Sequence, residues 1–270
     1  MRVAALQMNS GSEVPANLEV AERLISEAAS DGCELVVLPE NFALMPERAT
    51  DKAAHAEAPG SGPIQRFLSD AARRYSVWII GGSLPLVSPE TAAGRVYGAC
   101  PVFDPNGACK ALYRKIHLFD VDLAEKQESY RESHSMYPGD EVVSVTTPCG
   151  RVGLTICYDL RFPEMYRQLV DEGATVFTVP AAFTVTTGKA HWKTLLRARA
   201  IENLAYVIAA GQYGQHPDNR STFGHSMICD PWGRVIAEQP AGNCVVAADI
   251  DPQLPAKLRA EFPALSNRRL

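Results

Sequence analysis

The chain has little that would serve nucleic-acid binding or insertion into a membrane. Its 26 Lys and Arg residues are outnumbered by 31 Asp and Glu residues, which gives a formal net charge of -5, and the basic residues are scattered along the chain. The sequence therefore offers no basic face for nucleic acid. It also contains no stretch approaching the roughly 18 consecutive apolar residues of a transmembrane helix, so we expect no membrane association.

The sequence also lacks features of secretion, disulfide frameworks and cysteine-rich metal sites. The first residues, "MRVAALQMNSG", predict a strand, without the separate apolar segment and small-residue cleavage site of a signal peptide. The seven cysteines are odd in number and include no CxxC pair, so we expect a cytoplasmic protein with mostly free thiols and no metal bound by them. They are Cys33, Cys100, Cys109, Cys149, Cys157, Cys229 and Cys244.

Short β-branched segments alternate with amphipathic helical segments along the chain. Strand-like segments include "RVAALQ", "LVVLPE", "VGLTIC" and "TVFTVPAA", and helical spacing of apolar residues recurs in "ANLEVAERLISEAASDG", "IQRFLSDAARRYS", "FPEMYRQLVDEG" and "HWKTLLRARAIENLA". The segments "VVLP" and "VFTVP" are apolar on both faces, which predicts a sheet covered by helices on one side and by another sheet on the other. With no repeat, linker or low-complexity segment, the pattern predicts one α/β domain.

Two helices have predictable boundaries. Asn17 is a candidate N-cap for the first helix, and Gly32 a candidate stop at its carboxyl end. Pro163 lies where the helix in "FPEMYRQLVDEG" should begin, and Gly173 lies where it should end.

Three chemically active residues are each predicted to follow a strand. Cys157 ends "VGLTIC", Glu40 follows "LVVLP" and Lys115 follows "CKALYR". Ligands gather at the carboxyl ends of strands in open α/β sheets. A carboxylate next to a buried strand needs a partner, so we expect Glu40 and Lys115 to converge beside Cys157. Taken alone, Cys157 could equally be a buried structural thiol.

Convergence of these three residues would create a site for cleaving amides. A thiol with an ordinary pKa of about 8.5 is mostly protonated at neutral pH and needs a base or a cation to activate it. Glu40 could take the thiol proton, and the Lys115 ammonium with the Tyr158 backbone N–H could hold the oxyanion formed by attack on a carbonyl. Glu40 could then protonate leaving ammonia and activate water against the thioester.

The segments "LPEN", "YRKIHLFD" and "GLTICYDLRFPE" resemble, in order, the three signature blocks of the nitrilase (carbon-nitrogen hydrolase) superfamily. The resemblance extends from the start of the chain to about residue 251. It implies a four-layer αββα sandwich and a triad in which Glu40 is the general base, Lys115 stabilises the oxyanion and Cys157 is the nucleophile.

The same resemblance implies a domain organisation and an assembly. Residues 1–251 would form the carbon-nitrogen hydrolase domain, and residues 252–270 a carboxyl-terminal extension. It also implies a homodimer joined through the helices that begin at Pro163 and His191. The extension, with a short amphipathic segment and a basic end, would either pack at the dimer interface or fray.

A second glutamate lies between the lysine and cysteine blocks in many members of this superfamily. "YRESHSMYPGD" matches that pattern and gives Glu132 the role of orienting Lys115 or positioning the substrate's amino group. The alternative is a solvated acid in a loop. The polar segment from Lys115 to Asp140 is predicted to be irregular, and a loop of this length inside a domain is usually functional.

The segment "PAAFTVTTGKAHWKTLLRARAIENLAYVIAAGQYG", followed by "STFGHSMICDPWGRVIAE", is similar to the amidase branch that contains ω-amidase and deaminated glutathione amidase, and looks closer to the latter. The similarity implies a cofactor-free enzyme that hydrolyses a primary or ω-amide of a small carboxylate-bearing compound. Alternatives are an aliphatic amidase, an N-carbamoyl hydrolase, a nitrilase, an amide acyltransferase and a non-catalytic interaction scaffold. A cysteine hydrolase using His117 or His225 as base would leave Glu40 and Lys115 without a purpose.

Substrate binding is assigned to residues near the cysteine block and in later segments. A carboxylate-bearing substrate requires cations in its pocket, for which Arg161 and Arg220 are candidates, although Arg161 could instead pair with Glu164 or Asp159. The context of His117 favours a structural hydrogen bond. The substrate-binding candidates are Tyr158 through its backbone N–H, Arg161, Phe183 as an apolar wall, His191 as a residue facing the site in the family's fold, and Arg220. The alternatives are core packing for Phe183 and a simple helix start at His191.

Overall fold

Two β-sheets stack face to face, and helices cover their outer faces, which confirms the αββα prediction. The computed structural model describes residues 1–91, 94–123, 128–217 and 219–269. No helix within these ranges combines the length and the apolar character needed to cross a membrane.

Eighteen strands lie within the described ranges: β1 (Arg2–Gln7), β2 (Leu35–Val37), β3 (Trp78–Ile80), β4 (Leu84–Leu86), β5 (Val96–Phe103), β6 (Cys109–Arg114), β7 (Asp120–Leu123), β8 (Glu128–Arg131), β9 (Met136–Tyr137), β10 (Ser144–Thr147), β11 (Gly150–Leu154), β12 (Val176–Ala181), β13 (Tyr206–Gly211), β14 (Tyr213–Gln215), β15 (Ser221–Phe223), β16 (Ser226–Cys229), β17 (Val235–Gln239) and β18 (Cys244–Asp249). The first sheet has the order β18-β1-β2-β3-β5-β4, with β6 and β9 also paired to β5, and the second has the order β10-β11-β12-β13-β16-β17. Each sheet has a parallel centre, formed by β1 to β3 in the first and by β11 to β13 in the second.

The helices are α1 (Val14–Ser30), α2 (Pro63–Tyr75), α3 (Pro163–Asp171), α4 (Val185–Thr187), α5 (Lys193–Asn203) and α6 (Leu254–Glu261). A π-helical turn, Gly188–Trp192, joins α4 to α5, so the helix predicted to open at His191 is already under way at that residue. Short 3-10 segments occur at Ala49–His55, Glu132–His134, Cys157–Arg161 and Leu265–Asn267.

The first sheet separates two hydrophobic cores. Along β1, Val3 and Ala5 belong to the core between the sheets, whereas Ala4 and Leu6 belong to the core beneath α1 and α2. Strand β2 alternates in the same way. Because successive side chains of a strand point to opposite faces, a strand in this position must be apolar at every residue. The continuous apolar segments of the sequence follow from this layering.

The predicted N-cap of α1 was wrong. The helix begins at Val14, and Asn17 lies inside its first turn. The Asn17 side-chain amide donates to the Gly11 and Ala43 carbonyl oxygens and accepts from the Gly11 N–H. The asparagine therefore satisfies groups of the neighbouring loops instead of the free N–H groups of its own helix.

The other predicted boundaries are confirmed. Gly32 follows the end of α1 with a φ of 79°, in the left-handed region that favours glycine. Pro163 begins α3, and Gly173 follows that helix with a φ of 94°. Each glycine lets the chain reverse direction toward the next strand.

The segment from Lys115 to Asp140 is more regular than predicted. Strands β7 and β8 form an antiparallel pair, the turn Glu132–His134 follows them, and β9 runs parallel to β5. The prediction of an irregular loop was therefore wrong for these residues, while residues 124–127 of the segment lie outside the described ranges.

The carboxyl-terminal residues pack on their own domain. The Arg259 guanidinium on α6 donates to the carbonyl oxygens of Ala174 at 2.7 Å and Asn203 at 2.9 Å. Arg268 forms an ion pair with Asp171 on α3 at 2.6 Å. These contacts attach the described part of the extension to α3 and to the end of α5; Leu270 lies outside the described residues.

Candidate active site

Cys157 lies where the chain leaves β11 and enters a 3-10 turn. Its φ is 47°, a left-handed conformation that costs a residue other than glycine roughly 1–3 kcal/mol. The residue is 8% exposed and lies on the wall of a cavity. The surrounding structure therefore holds the cysteine in a strained conformation at the end of a strand, a pattern typical of functional sites.

Glu40 follows β2 and precedes another left-handed residue, Asn41, with a φ of 57°. The Glu40 carbonyl oxygen accepts a hydrogen bond from Gln212 Nε2 at 3.1 Å. Gly82 passes so close to this segment that a Cβ on it would lie 2.2 Å from the Pro39 carbonyl oxygen. Only glycine fits there, and the close approach fixes the path of the chain that carries Glu40.

Lys115 joins the two predicted glutamates. Its Nζ donates to Glu40 Oε1 at 2.8 Å and to the two Glu132 carboxylate oxygens at 3.0 and 2.8 Å. Backbone N–H groups complete the network: Ala182 donates to Glu40 Oε2 at 2.9 Å, and Phe119 donates to Glu132 Oε2 at 2.7 Å. All three charged side chains are thus hydrogen-bonded, as buried charges must be.

The charge state of the site follows from burial and from these contacts. Burial raises the pKa of Glu40, but the charge and hydrogen bond of Lys115 outweigh it, so the Glu40 pKa lies below its ordinary value. Burial lowers the pKa of Lys115, but Glu132 and Glu40 raise it well above its ordinary value. Burial and Glu40 raise the pKa of the Cys157 thiol well above its ordinary value. The resting site therefore combines an ionised base, a cation and a protonated nucleophile.

The backbone N–H of Tyr158, next to Cys157, has no acceptor among the described residues. The Tyr158 ring packs edge-on against Phe119 and Phe162, with ring centroids 5.1 and 5.4 Å apart. This packing holds the backbone in place and leaves a donor beside the nucleophile, where an oxyanion would form.

A buried carboxylate that the sequence did not single out for the site connects the segments of Lys115 and Cys157. Asp159 Oδ1 accepts from the His117 N–H at 3.1 Å and lies 2.7 Å from His117 Nδ1. Its Oδ2 accepts from the Tyr113 hydroxyl at 2.7 Å and from the Ile156 N–H at 2.8 Å. The His117 ring also stacks on Phe162, with centroids 3.6 Å apart. The structural role predicted for His117 is confirmed.

A cavity of about 340 Å³ opens onto Cys157. Its wall includes Glu40, Lys115 and Glu132, together with Tyr158, Arg161, Phe183 and Arg220. The structure thus brings together eight of the nine residues that the sequence analysis assigned to the site. The ninth, His191, is exposed and lies outside the cavity wall.

Arg161 connects His191 to the cavity. Its Nη1 lies 3.3 Å from His191 Nδ1, and its guanidinium lies 5.2 Å from the centre of the Phe183 ring. Within the described ranges Arg161 forms no ion pair with Glu164 or with Asp159, the two acids considered as alternative partners.

The two histidines considered as alternative bases lie off the cavity wall. Asp159 engages His117, and His225 has its Nδ1 2.9 Å from Glu238 Oε1 and its ring stacked on Phe223. This arrangement favours Glu40 as the base.

Lys52 is one of several residues of the cavity wall that the sequence did not indicate, along with residues such as Phe119, Tyr130 and Arg131. Lys52 lies on the turn Ala49–His55 and is 8% exposed. Its segment, "RATDKAAHAE", is polar and lacks the apolar strand that marks Glu40, so nothing in the local sequence indicates burial.

The described part of the chain holds no group of three or more His, Cys, Asp or Glu side chains suited to a metal ion. All seven cysteines are free thiols.

Comparison with known proteins gives a consistent result. Residues 2–260 match the family model described as carbon-nitrogen hydrolase. The chain is 42% identical over 267 residues to a deaminated glutathione amidase of Yersinia enterocolitica, covering 99% of this chain and 92% of that protein. It is 38% identical over 268 residues to an omega-amidase of Homo sapiens, covering 99% and 95%. It matches the crystal structure of the Caenorhabditis elegans NitFhit protein with a TM-score of 0.90 and 38% identity, covering 99% of this chain and 65% of that chain.

Proposed function

The chain belongs to the carbon-nitrogen hydrolase family, and on this basis we propose that it hydrolyses a primary or ω-amide of a small carboxylate-bearing compound and releases ammonia. The observation that carries the proposal is the meeting of an ionised Glu40, a cationic Lys115 and a protonated Cys157 on one cavity wall. The names of its amidase relatives support a substrate that combines an amide with a carboxylate.

In the acylation step, Cys157 Sγ attacks the amide carbonyl carbon while Glu40 accepts the thiol proton. The oxyanion receives hydrogen bonds from the Lys115 ammonium and from the Tyr158 backbone N–H. Glu40 then donates its proton to the amide nitrogen, the C–N bond breaks, and ammonia leaves. The product of this step is a thioester on Cys157.

In the deacylation step, Glu40 accepts a proton from water as the water oxygen attacks the thioester carbon. The C–S bond breaks, the proton on Glu40 returns to the Cys157 sulfur, and the carboxylic acid product departs. Each proton that Glu40 accepts is delivered in the same step, so the enzyme returns to its resting state without a cofactor.

The remaining site residues have supporting roles in this proposal. Glu132 orients Lys115, since both its carboxylate oxygens contact the ammonium. Arg161 and Arg220 attract the substrate carboxylate, and Phe183 forms an apolar wall. His191 positions the Arg161 guanidinium through the contact between His191 Nδ1 and Arg161 Nη1.

The test is ammonia release from a panel of small ω-amides by the wild-type protein and by Cys157→Ala and Cys157→Ser variants. We expect both substitutions to lower kcat by at least about 10³-fold, because they remove the nucleophile of a covalent mechanism. Intact-mass measurement after rapid quenching should show an acyl adduct that is absent from Cys157→Ala. The matched control is Cys109→Ala, which removes the exposed thiol. Ammonia release that persists in Cys157→Ala would overturn the mechanism.

The proposal includes a homodimer in which residues 252–270 extend the hydrolase domain of residues 1–251 and pack at the interface. An exposed apolar patch supports it: Ile201 on α5, Trp232 and Phe262 are 48%, 50% and 54% exposed. The Trp232 and Phe262 rings contact each other edge-on, with centroids 5.8 Å apart. Large exposed apolar side chains that cluster mark interaction surfaces.

We also assign the enzyme to the cytoplasm and expect no nucleic-acid partner. Seven free thiols, one of them exposed at Cys109, suit a reducing compartment. The formal net charge of -5 opposes binding to nucleic acid.

A further inference from the structure

Lys52 is a buried cation on the cavity wall. It is 8% exposed, and within the described residues its ammonium has neither a hydrogen bond nor an ion pair. Its Nζ remains accessible from the cavity, so a ligand there can supply the counter-charge that an ammonium in a mostly buried position requires.

Other buried cations of this chain are paired. Lys115 donates to Glu40 and Glu132, and the Arg199 guanidinium donates to the Leu160 carbonyl oxygen and to Glu202. The fold thus gives these cations hydrogen-bonded partners, whereas Lys52 has only the charges of Glu132 and Glu40 at longer range.

The surroundings of Lys52 hold charges of both signs. Burial lowers its pKa, and so does the charge of Arg220, which lies on the same cavity wall. Glu132 and Glu40 raise it, but both carboxylates are hydrogen-bonded to Lys115. The two carboxylates are therefore shared with Lys115, and an anionic ligand beside Lys52 would interact favourably with its ammonium.

We propose that Lys52 binds the substrate's carboxylate and so sets the preference of the enzyme for acidic amides over neutral ones. The inference rests on the proposed function, which it deepens by naming a specificity-determining residue. When a primary amide is cleaved, ammonia is the whole leaving group, so the carboxylate must belong to the acyl part. The carboxylate therefore stays beside Lys52 through both steps and leaves with the acid product.

The test compares two substrates that differ at one group. The half-amide of glutaric acid carries a carboxylate, and the diamide of glutaric acid carries a neutral carboxamide of nearly the same shape in its place. For Lys52→Met at pH 8 we expect kcat/KM for the half-amide to fall by at least about 30-fold, mainly through KM, because a buried charge pair is lost. We expect kcat/KM for the diamide to change by less than about 3-fold.

Two variants serve as controls. Lys110→Met removes an exposed lysine and should leave both substrates unaffected, and Lys52→Arg should recover part of the preference for the half-amide. A loss of similar size on both amides would mean that Lys52 acts on the triad alone and would overturn the proposal. So would an unchanged KM for the half-amide.

A binding measurement separates this inference from the proposed function. Glutarate is titrated by calorimetry into Cys157→Ala and into the double variant Cys157→Ala with Lys52→Met. We expect affinity for glutarate to be at least about 10-fold weaker in the double variant. If neither amide is hydrolysed by the wild type, the proposed function fails while this measurement still decides the role of Lys52. Equal affinity in both variants, or no binding to either, overturns the role of Lys52.

Discussion

Single residues in the site illustrate why buried charges are retained in a hydrophobic interior. Glu40, Lys115 and Glu132 form a network in which no charge lacks a partner, although desolvation offsets much of the stability that such pairs provide. The benefit of the network is chemical, because it keeps Glu40 ionised beside a protonated Cys157. Glu40 is then ready to accept the thiol proton. The network therefore sets protonation states in advance of the reaction.

The pKa of Glu40 predicts the acid limb of the pH profile. Glu40 acts as a base only when ionised, and its pKa is lowered from its ordinary value of 4.5. With the neutral diamide as substrate, kcat/KM should therefore stay level as the pH falls to about 5 and decline only below 4.5. Lys52 is one of the charges that lower this pKa, so Lys52→Met should move the acid limb to higher pH.

The measurement is a pH series of initial rates, with each sample returned to pH 7 to confirm that activity recovers. Lys110→Met should reproduce the wild-type profile. An acid limb centred near pH 6 or above in the wild type would assign the decline to a group other than Glu40.

A site residue can be predicted from the sequence where a charged residue follows an apolar strand. Glu40 and Lys115 satisfy that condition, because a charge at the end of a buried strand must meet a partner in the folded chain. Lys52 does not satisfy it: its place beside Glu132 and Arg220 on the cavity wall depends on segments that are distant in the chain. Asp159 was weighed only as a partner of Arg161, and its four contacts depend on how two turns meet.

At the scale of elements, Asp159 joins the segment that follows β6 to the turn that follows β11. Its carboxylate receives hydrogen bonds from His117 in the first segment and from Ile156 in the second. Lys115 lies two residues before His117, and Cys157 directly follows Ile156. The distance between cation and nucleophile therefore depends on one buried carboxylate.

Replacing this carboxylate should loosen both segments. In Asp159→Asn an amide NH₂ must face groups that also donate, so we expect a loss of about 2–4 kcal/mol in the free energy of unfolding. We expect kcat to fall with little change in KM, since the substitution displaces the reacting groups and leaves the cavity wall in place. Urea denaturation and steady-state kinetics measure the two effects.

The control for this substitution is Asp171→Asn, which breaks an exposed ion pair with Arg268. That pair should contribute less than about 1 kcal/mol. If Asp159→Asn were as stable as Asp171→Asn, the proposed link between the two segments would be wrong.

The helices with a strong apolar periodicity were predicted from the sequence, whereas the short polar strand pair of β7 and β8 was not. The apolar spacing of α1, α2, α3 and α5 identified these helices from sequence. The strands β7 and β8 are short and rich in charged residues, so the sequence favoured an irregular loop there. Asn17 resembled an N-cap because its residue type is favoured there, whereas its partners lie in other loops.

At the scale of the whole molecule, the layering was predictable and the assembly is still to be tested. Strands apolar on both faces indicate two covered faces, from which the sandwich follows. The apolar patch of Ile201, Trp232 and Phe262 is formed by segments far apart in the chain, so no sequence window reveals it.

The patch predicts how the dimer can be broken. Sedimentation equilibrium should give twice the 29.3 kDa of one chain for the wild type. The double substitution Trp232→Glu with Phe262→Glu should give the mass of one chain, because two charges would be buried in an apolar contact. Val87→Glu changes an exposed apolar residue next to the first sheet and should leave the dimer intact. A wild-type protein of 29.3 kDa would refute the dimer, and a dimeric double variant would refute this location of the interface.

The two sheets contribute different parts of the same site. Glu40 and Lys115 follow strands of the first sheet, and Cys157 follows a strand of the second, as does the Ala182 N–H that holds Glu40. Turnover therefore requires the sheets to keep their relative position to within the length of a hydrogen bond. A shift of one sheet against the other would separate Glu40 and Lys115 from Cys157, so the activity of the enzyme reports on the packing between its two layers.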